Sequence, residues 1–211
     1  MSKTKSFSEL ERREFVALKR QYVHPANEVS QPNQLVGREQ ALNSVRNAFE
    51  RDGSNIFIWG QRGVGKTSLA HTAAAKYSDI VALGPAIACE KNSSISNLFQ
   101  DLARRAIAKD KSLLKNSSVK IKLEALGLSV EGQLGGFRPT TEITSVNQAS
   151  ELLGALFPSD FQNGKKTVII IDEFDQLENQ DTINFLTSLA KQMSVDALDV
   201  KIVYCGVASD L

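Results

Sequence analysis

The chain has 211 residues, of which 42% are hydrophobic and 23% charged, with a net charge of +1. That is ordinary globular composition, enough for one sizeable domain or one domain with an appendage, and its charge gives no case for a dedicated nucleic-acid binder beyond a local patch. No apolar stretch approaches the roughly 20 residues needed to cross a bilayer, and the N-terminal MSKTKSFSELERREFVALKR is too charged for a signal peptide, so a cytoplasmic protein with no membrane partner is expected.

In chain order, residues 6–20 read as a polar helix with Phe7, Leu10, Phe15 and Leu18 as its few anchors. HPANEVSQPNQ (24–34), with two prolines, reads as an extended linker, which sets residues 1–34 apart from a domain beginning at 35. REQALNSVRNAFER places Leu42, Val45 and Phe49 at helical spacing, and Asp52-Gly53 ends that helix. NIFIW (55–59) is a short apolar run of the kind that forms a buried strand. A helix from Lys66 to about Tyr77 follows, then a strand over 80–89, kinked at Gly84-Pro85. Ile95, Leu98, Phe99, Leu102, Ala103, Ala106 and Ile107 mark one face of the clearest helix, capped by Ser93 or Ser94.

Residues 110–147 read differently. Val119, Ile121, Leu123 and Ala125 alternate, and the phase then switches to Leu126, Leu128 and Val130. Gly132, Gly135 and Gly136 follow, so a β-hairpin-like insertion outside the core is expected here. A short helix over 147–157, the strand KKTVIIID, a helix in DTINFLTSLAKQM and a fourth strand in VKIVYCGVAS complete the chain. Strands alternating with helices imply an α/β fold with a parallel sheet covered on both faces. Cys89 and Cys205 form no CxxC or CxxH pattern and sit in strand-like text, which predicts buried thiols rather than redox or metal groups.

Gly60-Gln61-Arg62-Gly63-Val64-Gly65-Lys66-Thr67 fits G-x-x-x-x-G-K-[ST], the phosphate-binding P-loop, with Ser68 next in the helix. A loop that wraps a polyphosphate must aim successive backbone N–H groups inward, and side chains obstruct that. The following helix adds its N-terminal N–H groups and positive dipole end. Lys66 then suits the β- and γ-phosphates, and the Thr67 hydroxyl suits Mg²⁺. VIIIDE (168–173) supplies a second element: Asp172 at a strand end to hold the Mg²⁺ shell, and Glu173 to polarise a water for attack on the γ-phosphate. Asp175 is expected to cap the next turn or pair with a cation rather than bind metal. Ser209, past the fourth strand, is a candidate for contact with the γ-phosphate or attacking water, against a plain turn serine.

Taken together, LVGRE, GQRGVGKTSLA, VIIIDEFDQL and IVYCGVAS resemble the AAA+ P-loop ATPases, and most of all their origin-recognition or initiator-type group. The resemblance covers roughly residues 25–100 and 165–209 and implies ATP and Mg²⁺ as ligands, with strand order 5-1-4-3-2. It also implies that Leu35, Val36 and Gly37 line the adenine pocket, and that Arg38 makes a structural ion pair or contacts nucleotide. Residues 35–211 then form a partial nucleotide-binding domain. The family's fifth strand, arginine finger and helical lid have no counterpart before Leu211, so the chain resembles the front of a larger protein. Two functions stay open: an ATPase that drives a homo-oligomer or partner protein, and a nucleotide-gated switch with little turnover. A small-molecule kinase is weaker, because the Asp-Glu pair favours water as nucleophile, and the lack of an NKxD sequence argues against a GTPase.

Overall fold

IFIWG forms β1 (Ile56–Gly60) and leads through the glycine loop into helix α2 (Lys66–Lys76), behind a first helix α1 (Glu39–Glu50). The computed structural model describes residues 37–53, 55–115, 117–125, 143–158 and 164–207. The expected N-terminal helix and linker, Leu35, Val36, the stretch 126–142 and Ser209 lie outside these residues. The remaining elements are β2 (Val81–Ala88), α3 (Ile95–Lys109), α4 (Ser117–Ala125), α5 (Val146–Leu156), β3 (Lys166–Asp172), α6 (Gln180–Val195) and β4 (Val200–Val207). Short 3-10 turns cover Lys111–Lys115 and Phe174–Gln176.

The four described strands are all parallel, in the order β1-β4-β3-β2. This matches the order implied by the resemblance, with the fourth strand between the strands that precede the glycine loop and end in the acids. Parallel pairing puts all the strand C-termini at one edge: Gly60 lies opposite Val207, and Ala88 opposite Asp172. A parallel strand covered on both faces must be apolar at successive positions. β3 obeys this: Val168 and Ile170 pack on one side with Val203, Cys205 and the α1 and α2 residues Leu42, Phe49 and Leu69. Ile169 and Ile171 pack on the other side with Ile202, Tyr204 and α3, α5 and α6 residues. At the β1 edge of the sheet, Phe57 and Trp59 remain 48% exposed.

The kink expected at Gly84-Pro85 is a register shift between Leu83 and Ala86 in the pairing with β3. A Cβ on Gly84 would lie 2.8 Å from both Thr167 Cγ2 and the Val168 carbonyl oxygen, so β3 passes too close for any side chain there. Proline adjoins it because an irregular position tolerates the loss of an N–H.

The reading of residues 119–125 as a hairpin strand is corrected. They belong to helix α4, and the segment packs into the main core rather than standing outside it. Val119 and Leu123, four residues apart, are 1% and 0% exposed, while Ile121 between them is 64% exposed. Apolar residues at i, i+2 and i+4 mimic a strand, but i and i+4 also share one helical face. Partners decided the outcome: α5, whose Leu152, Leu153 and Leu156 are buried in the same cluster, offers a groove to one helical stripe. A capping box starts α5, with Ser145 accepting from Gln148 N at 3.2 Å and Gln148 Oε1 accepting from Ser145 N at 3.3 Å. Among the described residues no helix is long and apolar enough to cross a membrane.

At the opposite edge of the sheet, Lys201 is buried and donates to the Arg51 carbonyl at the end of α1, beside the Lys166–Asp52 ion pair.

Two outcomes follow from this packing. Leu123→Ala should cost about 2–5 kcal/mol in chemical denaturation, whereas Ile121→Ala should stay within about 0.5 kcal/mol. Burial, then the neighbouring charge of Lys166, pushes the Lys201 ammonium down to about 8. Above that pH the folded chain holds fewer protons than the unfolded one, so this residue makes stability rise as pH climbs from about 8 towards the ordinary lysine range near 10.4. Lys201→Met should abolish that rise in denaturation midpoints measured across this interval.

Candidate functional site

Gly63 and Gly65 adopt φ of 80° and 84°, a left-handed backbone that glycine enters without a Cβ clash. Gly65 is the residue before α2, and Leu69 N closes the first turn onto the Gly65 carbonyl at 2.9 Å. The first turn of α2 carries no acidic residue and no side-chain cap. A helix start built this way directs N–H groups and the positive dipole end at whatever lies in the loop, which suits an anion. The Lys66 ammonium donates to the carbonyls of Gly60 at 3.1 Å and Gln61 at 3.0 Å, so the loop itself holds the cation in place. Arg38 Nη2 donates to the Val64 carbonyl at 2.6 Å. Among the described residues Arg38 thus bonds the loop backbone, which fastens the start of α1 to the loop. Gly37 beside it is exposed with φ of 76°.

Across the sheet edge, β3 delivers Asp172. Its Oδ2 accepts from Thr67 Oγ1 at 2.7 Å, and its Oδ1 accepts from Glu173 N at 2.9 Å. Two oxygen donors, one of them charged, therefore meet beside the phosphate loop. That is the donor type hard divalent cations take, and these residues fit Mg²⁺. Glu173 is exposed and holds φ 52°, ψ 36°, a left-handed conformation rare outside glycine. The turn closes through Gln176 N, which donates to the Glu173 carbonyl at 2.8 Å.

The sequence suggested that Asp175 caps the turn or pairs with a cation; among the described residues it does neither. Its Oδ1 accepts the Val207 N–H at 2.7 Å, and its Oδ2 accepts from Gln176 Nε2 at 3.2 Å. This tie was not legible beforehand, because it joins residues from two strands' ends. The only hints were an extra acid in IDEFD and the glycine in YCGV.

These groups border one cavity of about 360 Å³. Arg62, Gly63, Gly65, Lys66, Thr67 and Ser68 form one side, and Asp172, Glu173, Asp175 and Gln176 the other, with Cys205, Gly206 and Val207 of β4 between. Both cysteines are buried and neither forms a disulfide. Burial, then the charges of Asp172, Asp175 and Glu173, pushes the Cys89 thiol up to about 12, so it stays protonated and unreactive at neutral pH.

A parallel sheet, a glycine loop on a helix start and a strand-end acid bonded to the loop's threonine define a P-loop NTPase. Residues 34–203 match the model of the AAA ATPase domain, and the chain belongs to that family. Among solved structures it is similar in fold to the Walker-type ATPase PABY2304 of Pyrococcus abyssi, at 14% identity and a TM-score of 0.51. That match covers 86% of this chain and 48% of the other, so the chain spans about half the length of that structure. No curated protein matches the sequence.

Lys66→Ala removes the ammonium that the loop carbonyls hold in place. It should weaken ATP binding at least about tenfold, or roughly 1.4 kcal/mol, in calorimetric titration. Unchanged affinity would rule out Lys66 as a phosphate ligand.

Proposed function

We propose that the chain binds Mg·ATP in this cavity and hydrolyses it to ADP and phosphate, driving a conformational change in a larger assembly. The observation that carries this is the 2.7 Å bond between Thr67 Oγ1 and Asp172 Oδ2, with Glu173 as the next residue. It joins the loop that would hold the phosphates to the strand end that would supply the base. In this reading the loop backbone from Gly60 to Ser68 embraces the polyphosphate, and Lys66 contributes the ammonium. Thr67 and Asp172 would hold Mg²⁺, which when bound neutralises phosphate charge and polarises its oxygens. Glu173 takes the proton of the attacking water, as a carboxylate can once the water lies within hydrogen-bond reach. Leu35, Val36 and Gly37 are assigned to the adenine, and Ser209 to the γ-phosphate or the water.

The initiator-type subgroup is proposed on the motif text LVGRE and VIIIDEFDQL, and a cytoplasmic location on composition. Among the described residues, the cationic side chains bordering the cavity are Arg62 and Lys66, both from the loop. Charge developing on the far side of the phosphate would then be met by a cation from outside these residues. A homo-oligomer or partner protein as the working unit is proposed on membership of the AAA ATPase family, whose modules often oligomerise, with a slow, nucleotide-gated switch as the alternative.

Glu173→Gln keeps the shape and removes the base. Mg·ATP affinity should stay within about threefold, while hydrolysis falls at least about a hundredfold in single-turnover assays. Turnover that survives the change would exclude Glu173 as the base.

A further inference from the structure

Asp175 stands outside the chemistry just described, yet it is the side chain that ties the Glu173 turn to β4. Its Oδ1 accepts the Val207 N–H at 2.7 Å, across 32 residues of sequence. A carboxylate accepting a backbone N–H is among the stronger hydrogen bonds a protein makes. The approach is close because residue 206 is glycine. A Cβ there would lie 2.6 Å from Trp59 Cζ3 and 3.3 Å from Asp175 Oδ1, so a side chain would crowd both neighbours.

The turn needs such a tie. Glu173 sits at φ 52°, and a non-glycine residue persists there only where its surroundings over-determine it. Other contacts also hold the turn: the Glu173 N to Asp172 Oδ1 bond, the Gln176 N to Glu173 carbonyl bond, and Phe174 edge-on to Tyr204 with ring centroids 4.9 Å apart. The two N–H bonds are local to the turn and the strand end before it. The ring contact fixes the turn's apolar side to β4. Among the described residues, Asp175 is the polar side chain that carries the turn across to the end of β4, and it borders the cavity with Glu173.

We infer that Asp175 is a positioning residue: by clamping Val207 N–H it holds the Glu173 carboxylate in the orientation that serves hydrolysis and makes the turn and the end of β4 move as one piece. The inference rests on the hydrolytic reading of the same site. Its charge is incidental in this account. Asparagine keeps the accepting oxygen and should keep the clamp. Alanine loses it, and serine is one atom too short to reach.

The test uses the full chain with Asp175→Ala, Asp175→Ser and Asp175→Asn, the serine variant covering the case in which alanine does not fold. Amide hydrogen exchange at Val207 reads the clamp directly. Mg·ATP titration and single-turnover hydrolysis read binding and chemistry separately. The expected result is faster exchange at Val207 in the alanine and serine variants, ATP affinity within about threefold, and hydrolysis down at least about tenfold, with asparagine near the unsubstituted chain in all three. Equal damage from asparagine and alanine would overturn the inference, since charge rather than the clamp would then matter. So would unchanged hydrolysis in the alanine or serine variant, or an ATP affinity that falls as far as the rate. If the unsubstituted chain binds Mg·ATP and does not turn it over, the hydrolytic reading falls, while exchange at Val207 still decides whether the clamp exists.

Discussion

β3 is buried on both faces, and the site depends on that constraint. Charge cannot be placed along Val168–Ile171 without facing one core or the other. The first position where a carboxylate regains polar surroundings is Asp172, at the strand's end. Parallel pairing brings the same end of β1 and β4 to that edge, so the glycine loop, the acids and the β4 terminus arrive together. The Thr67–Asp172 hydrogen bond records the meeting.

The two sides of the cavity are built on different principles. The loop side relies on backbone: left-handed glycines, a helix start free of acidic residues, and carbonyls that hold Lys66 and Arg38. The acidic side relies on side chains gripping backbone. Asp172 accepts from Glu173 N and Asp175 from Val207 N, and the turn between them is held in a conformation it would not choose alone. Three carboxylates within four residues repel one another, and these N–H donors offset part of that repulsion. The same charges, added to burial, keep the Cys89 thiol protonated beside them.

The segment 111–125 is structural. Leu113, Val119 and Leu123 enter the same cluster as the α5 and α6 leucines, so this part of the region between β2 and β3 thickens the core on one face of the sheet. The sheet edge at β1 contrasts with it, leaving Phe57 and Trp59 stacked on each other and half exposed.

The sequence by itself determined most of the fold and the centre of the candidate site. Phosphate cradles need glycines at set spacing, buried parallel strands need uninterrupted apolar runs, and amphipathic helices announce their faces. These are local demands, so Gly60–Thr67, Ile169–Asp172 and the helix over Ile95–Lys109 were legible from neighbouring residues alone. Tertiary structure decided the rest, because the deciding partner lay far away in the chain. Val119, Ile121 and Leu123 satisfy a strand period and a helix period alike, and the α5 groove chose the helix. Asp175 could accept from any nearby donor, and the end of β4 supplied Val207 N–H. Arg38 carries several N–H donors, and the loop, 26 residues on, supplied the Val64 carbonyl to one of them. Local pattern sets what a segment is able to form; contacts between distant segments select among the forms of similar energy.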